Sequence, residues 1–438
     1  VAALAGFIFG FDMVVISGAD KPIQALWHTT PLFHGFFIMS MALWGTVIGS
    51  VFAGAPTEKY GRKKVLIWLG VMFIASAIGT ALAQDPYTFS FFRLIGGIAI
   101  GVSSVAAPTY ISEISNKNNR GKLVGMYQFN IVFGILIAYL SNYLLKGIGG
   151  ENDWRWMLAV LLIPSVIYTL LTTSIPESPR WLLTTKNDEA AAKKTLEIIG
   201  VENIDETIEE IKTAATEEKK FGAAKLFIAK HSKIISLAIF VAFFNQASGI
   251  NFILYYAPRI LEKAGFASQQ SLLSSISIGL MNLIFTFVGL WLIDRIGRKT
   301  LLIIGSFGYI ISLSMVALSF YISASQLFLL TFLLLFIASH AIGQGAVIWV
   351  LISEIFPNNV RSKGQALGSA THWIFAALIT LVAPIFINDK NDGIFNSNPW
   401  PIFAFFAVMM VLQLVWILTK VPETKGVSLE ELQKKLVQ

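Results

Sequence analysis

Along this chain, long apolar runs alternate with short polar segments. Runs able to cross a hydrocarbon core of about 30 Å fall near 1–19, 34–56, 64–84, 88–112, 121–146 and 156–175. A second set falls near 233–262, 268–293, 300–322, 326–352, 364–387 and 399–419. The pattern predicts twelve transmembrane helices. The first run, starting at Val1, reads as a membrane helix clipped at its start and not as a signal peptide. Between the sets lies a polar stretch, 182–231, whose apolar positions recur at helical spacing. With Asn187 and Asp188 as N-caps, it predicts short surface helices in a linker.

The two sets repeat each other. "EKYGRK" at 58–63 returns as "DRIGRK" at 294–299, and "ISEI" at 111–114 returns at 352–355. "NNRGK" (118–122) answers "NNVRSK" (358–363), and "IPESP" (175–179) answers "VPETK" (421–425). The shift stays near half the chain. Two parallel six-helix halves are implied, 1–181 and 232–422, followed by a tail at 423–438. Parallel repeats of this kind place a substrate site near midplane, between the halves.

Composition adds a lipid solvent: 55% of the 438 residues are hydrophobic and 13% charged, about half the charge of a soluble domain. Cysteine is absent, which excludes disulfides and thiolate chemistry. The net charge of +7 sits in short loops, at 58–64, 117–122, 295–299 and 361–363, so it predicts membrane orientation and not nucleic-acid binding. Loops 147–153 and 389–393 are poor in bases. Both chain ends and the linker are therefore expected in the cytoplasm, the protein being integral to a membrane.

Polar groups inside the apolar runs carry the candidate chemistry. "FFNQASGINFILYYAPRI" (243–260) holds Asn245, Gln246, Ser248, Asn251, Tyr255 and Tyr256 with Gly249 and Pro258. An unpartnered amide in hydrocarbon costs about 2–7 kcal/mol, so these groups satisfy one another or await a polar ligand. Asp12 lies ten residues, about 15 Å, before Pro22, near midplane. A charge there costs roughly 2.5–3.5 kcal/mol on insertion scales. Arg93, about 10 Å into the fourth run, sits at a compatible depth. "GGIAIG" (96–101) follows no strand and reads as helix packing. The histidines show no metal spacing, and no reactive constellation points to an enzyme.

The motifs together resemble the sugar porters of the major facilitator superfamily, over essentially the whole chain. The resemblance rests on "GAPTEKYGRK", "RLIGGIAIG", "PTYISEI", "NNRGK", "PESPRWL", "QASGINFILYYAP", "DRIGRK", "ISEIFPNNVRSKG" and "VPETKGVSLEEL". Among sugar porters it points toward bacterial xylose–proton symporters and, more distantly, animal facilitative glucose carriers. It implies an all-α membrane protein with the major facilitator fold, acting as a monomer without cofactors, with protons as the coupling ion. It also implies a seventh helix broken near Gly249. The implied sugar site comprises Gln128, Asn245, Gln246, Asn251, Tyr255, Asn282, Gln344, Trp349, His372 and Trp373. Amides suit a ring of hydroxyls because they both donate and accept. The implied proton site is Asp12 with Arg93. An inner gate would use Glu58, Arg62, Glu113, Arg120, Glu177 and Arg180, with Asp294, Arg298, Glu354, Arg361 and Glu423 in the second half.

Several positions depart from the family. Asn245 replaces a Gln, Gln344 stands where xylose carriers have Trp, and His372 stands where Gln or Asn is common. Glu58 replaces Asp, Leu290 replaces a glycine, and Leu161 occupies a position that is Glu in the xylose symporters. The expected function is proton-coupled import of a pentose or hexose by alternating access. A proton-independent uniporter and a sugar-sensing receptor are the competing readings.

Overall fold

The computed structural model describes residues 1–115, 120–221, 225–357, 359–388, 398–427, 431–432 and 436. Side chains are described for the same residues except 120–122, 124 and 217–221. Every regular element among them is helical. Spans 3 to 6 are Arg62–Leu82, Pro86–Ile114, Arg120–Leu145, and the pair Asp153–Ala159 with Leu162–Ser174. Spans 8 to 12 are Ser268–Ile296, Arg298–Tyr321, Gln326–His340 continued as Ala346–Ile355, Arg361–Phe386 and Trp400–Lys420. With span 7, these make ten helices long and apolar enough to cross a membrane. Span 2 is a bent pair, Pro31–Met39 and Met41–Phe52, at 42°. Span 1, Leu4–Leu26, completes the twelve.

Span 1 runs past the predicted end at 19. Asp20 and Lys21 resemble an interfacial stop in sequence, but both find opposite charges on span 7, so the helix continues through Pro22 to Leu26. Span 7 breaks where its sequence suggested, into 7a (Ser232–Ala247) and 7b (Ile250–Lys263). Gly249 joins them at φ +83°, a conformation open to glycine and costly for other residues. Within 7b, Pro258 cannot donate to the carbonyl of Leu254. The Tyr139 hydroxyl of span 5 donates to that carbonyl instead, at 2.7 Å. This hydrogen bond ties the two halves together.

The glycine run of span 4 is a packing surface. A Cβ on Gly97 would strike the carbonyl of Ala42, and one on Gly101 the carbonyl of Thr46, both on span 2. Large apolar side chains such as Phe52, Leu82 and Leu327 face outward, as lipid requires and water would not favour.

The linker forms two helices, Glu189–Ile198 and Ile204–Phe221. Asp188 is the N-cap, accepting from the backbone N–H of Ala191 at 2.9 Å. Asn187 is not a cap of this helix. It takes a left-handed conformation, φ +54°, that closes the preceding turn, a role Asn tolerates better than most residues. Trp181, Leu182, Leu183, Ala192, Leu196 and Ile208 give these helices a small core. The Trp181 indole donates to the carbonyl of Glu58 at 2.6 Å, anchoring that core beneath the first half.

Candidate functional site

The break in span 7 turns a row of amides toward spans 10 and 11. Gln246 Nε2 donates to Asn245 Oδ1 at 3.1 Å and lies 3.0 Å from His372 Nε2 on span 11. Asn245 Nδ2 approaches Gln344 Oε1 at 3.5 Å. The His372 ring packs against Trp349 at 5.0 Å and Trp373 at 4.7 Å between centroids. Trp373 in turn meets Phe9 of span 1 at 5.6 Å, across the halves. The structure thus brings Asn245, Gln246, Gln344, Trp349, His372 and Trp373 into one cluster.

Part of this cluster is self-satisfied and part is not. Gln246 Oε1, Asn251 Nδ2, the Tyr255 hydroxyl and the Trp373 indole N–H are buried without a hydrogen-bond partner. Proteins leave few such groups, and these four together could bond a partner that both donates and accepts. Asn282 is buried on span 8 and Gln128 half-buried on span 5. No hydrogen bond joins either to the cluster among the described residues.

Asp12 and Arg93 meet as expected. Arg93 Nη1 donates to Asp12 Oδ1 at 2.6 Å and Nη2 reaches the Asp12 carbonyl at 3.4 Å, both residues being about 1% exposed. Burying two charges is costly and their attraction repays it only with good geometry. Here the geometry is incomplete, since Asp12 Oδ2 and Arg93 Nε lack partners. Tyr255 lies within electrostatic reach of the pair, which connects it to the amide cluster along span 7. Leu161, where an acid would stand in the xylose symporters, is a buried apolar residue at the turn inside span 6.

The repeated loops fold alike. Gly61 and Gly297 start spans 3 and 9 at φ +92° and +94°. In each case the carboxylate following span 6 or 12 accepts from the exposed backbone N–H groups: Glu177 from Arg62 and Lys63, Glu423 from Arg298 and Lys299. Helix N-termini favour such anionic partners. Partial burial raises the Glu423 carboxyl, but the backbone N–H groups of Lys425, Arg298, Thr424 and Lys299 together outweigh it and hold the group below its usual range. Arg62 donates twice to Glu113 at 2.9 and 2.8 Å, and Arg298 once to Glu354 at 2.9 Å. Asp294 pairs with Arg298 at 3.1 Å. Each of these pairs joins helices of one half.

Not every predicted member joins. Arg361 Nε donates to the Phe356 carbonyl at 3.3 Å, while its Nη2 has no partner. Glu58 is exposed, its part in the network being its backbone carbonyl. The Arg120 side chain lies outside the described residues. Arg180 occupies the short helix Pro179–Trp181, below the Glu177 loop.

Sequence reasoning missed two polar groups. Gln413 of span 12 is fully buried; it accepts from Gln344 Nε2 and donates to Ser306 Oγ, both at 2.9 Å. At the end of the bundle opposite the basic loops, Asp20, His34 and Arg259 are buried together. The second group left a signal, because Arg259 is a charge within an apolar run.

A family model described as "Sugar (and other) transporter" matches residues 1–436. An arabinose-proton symporter of Bacillus subtilis is 34% identical over 439 residues, covering 99% of this chain and 93% of that protein. A D-xylose-proton symporter of Escherichia coli is 32% identical over 469 residues, covering 99% and 94%. An inward-open structure of the xylose transporter XylE from E. coli matches with a TM-score of 0.85 at 30% identity, over 99% of this chain and 98% of the other. Twelve spans in two repeated halves, a broken seventh span and these matches agree: the chain belongs to the sugar porter family of the major facilitator superfamily.

Proposed function

We propose that this protein imports a pentose or hexose together with a proton, by alternating access. The observation that carries the sugar is the set of buried, unpartnered polar atoms on Gln246, Asn251, Tyr255 and Trp373. A monosaccharide offers a ring of hydroxyls that satisfies donors and acceptors alike, and Trp349 and Trp373 offer faces for its apolar side. Gln128 and Asn282 complete the site from spans 5 and 8. The names of the arabinose and xylose symporters support the substrate class and the coupling ion. Asp12, held by Arg93 on one oxygen only, is the proton acceptor.

In this account residues 1–181 and 232–422 rock as two bundles around the site, in a monomer, with the linker 182–231, the tail and the basic loops in the cytoplasm. Proteoliposomes loaded with unlabelled xylose or arabinose should therefore take up the labelled sugar by counterflow. Counterflow with no pentose or hexose would remove the carrier reading and leave a sensor.

The charged loops serve as the inner gate. Their pairs hold the ends of spans 3, 4, 9 and 10 in the arrangement that lets the halves meet. Glu113→Gln combined with Glu354→Gln should shift the protein toward an open cytoplasmic end. Labels on cysteines at Lys59 and Lys420, one in each half, should then move apart on average. An unchanged distance distribution would reduce these pairs to surface ion pairs worth about 0–1 kcal/mol.

A further inference from the structure

The buried charges at the end opposite the basic loops belong to neither the sugar cluster nor the Asp12–Arg93 pair. Asp20 of span 1 and His34 at the head of span 2 belong to the first half, Arg259 of span 7b to the second. All three are at most 2% exposed. His34 Nε2 lies 2.7 Å from Asp20 Oδ1, and Arg259 Nη1 lies 3.2 and 3.1 Å from the two Asp20 oxygens. Arg259 Nε also donates to the Ile387 carbonyl of span 11.

We propose that Asp20 and His34 form a second proton-binding site, at which a proton on His34 and the Arg259 guanidinium compete for one buried carboxylate. The geometry around the imidazole permits it to change charge without losing a hydrogen bond. Nε2 must donate, because its partner is a carboxylate. Nδ1 lies 3.0 Å from Thr29 Oγ1, a hydroxyl that donates to the neutral ring and accepts from the protonated one.

Charge balance then decides which conformation takes the proton. With Arg259 docked, Asp20 is already neutralised, and a second cation beside it would leave a net buried charge. When this end opens, Arg259 leaves with the second half, and Asp20 keeps a full charge that a protonated His34 balances. Among the described residues, the neighbouring charged groups include Lys21, Glu262 and Lys263. Lys21 and Glu262 pair at 2.6 Å across the same seam, Lys263 donates to the Asn388 carbonyl, and the Tyr256 hydroxyl donates to the Thr380 carbonyl. Opening therefore takes up a proton from outside, and acid outside favours the open state.

The test needs neither sugar nor Asp12. Cysteines at exposed Ala25 and Gln269, one in each half, carry distance labels in an Asp12→Asn background, and the chain has no native cysteine to interfere. Between pH 8 and 5 the ratio of open to closed protein should rise by up to about tenfold per unit over the titrating range. His34→Gln, which keeps a donor for Asp20, should abolish the slope, while monodisperse elution and an unchanged helical circular-dichroism spectrum report that the protein folds. Arg259→Gln should raise the open fraction at every pH and flatten the slope. A ratio independent of pH in the His34-containing protein, or an unchanged slope in His34→Gln, would overturn the proposal. Should His34→Gln fail to fold, an Arg259→Gln variant with the parent's slope and open fraction overturns it as well. Either failure would leave the transport mechanism standing.

Discussion

Asp12→Asn should abolish accumulation of sugar against its gradient and leave counterflow intact. Arg93 holds Oδ1 of the carboxylate, and Oδ2 is buried without a partner, so Oδ2 is where a proton adds. Once protonated, Asp12 no longer offers Arg93 a counter-charge, and the pair can separate as the halves rock. An amide imitates the protonated acid permanently in shape and in charge. With one proton per sugar, a gradient of one pH unit sustains about tenfold accumulation, equal to about 1.4 kcal/mol. The variant should lose that whole factor. Accumulation at the wild-type level in Asp12→Asn would move proton coupling to another group, and the Asp20–His34 pair would be the first to examine.

Gln246→Ala and Asn251→Ala should each weaken sugar binding by about 1–3 kcal/mol, the cost of leaving a buried polar partner unpaired, which is roughly 5- to 150-fold in Kd. The two differ in what else they disturb. Gln246 also touches Asn245 and His372, so its loss frees neighbours as well as a sugar hydroxyl. Asn251 presents an Nδ2 with no protein partner, so its loss reports the ligand contact more cleanly. Titration of intrinsic tryptophan fluorescence, with Trp349 and Trp373 beside the cluster, measures both. Wild-type affinity in both variants would exclude span 7 from the sugar site.

The fold was legible because lipid imposes one rule along the whole chain, and every predicted run became a span. The break at Gly249 was legible through the family resemblance, and the left-handed conformation of that glycine gives its physical reason. The Asp12–Arg93 pair followed from depth, since two opposite charges at one level in hydrocarbon must meet. What sequence could not show were partners far apart in the chain. Span 1 looked finished at residue 19 because Asp20 and Lys21 resemble an interface, yet their counter-charges stand on 7b. Gln413 was hidden for the same reason, as its partners Gln344 and Ser306 lie on other spans. The amides of span 7 raised a choice between mutual satisfaction and waiting for a ligand. The structure divides them: Asn245 and the Gln246 Nε2 bond within the protein, whereas Asn251 keeps an open donor.

With Leu161 in place of an acid, the proposed coupling of sugar to a proton rests on Asp12. Purified protein in proteoliposomes, neutral inside and acidic outside, should accumulate labelled xylose or arabinose above the external concentration and release it when a protonophore collapses the gradient. Uptake that stops at equal concentrations on the two sides, unchanged by the protonophore, would contradict the account and identify a uniporter.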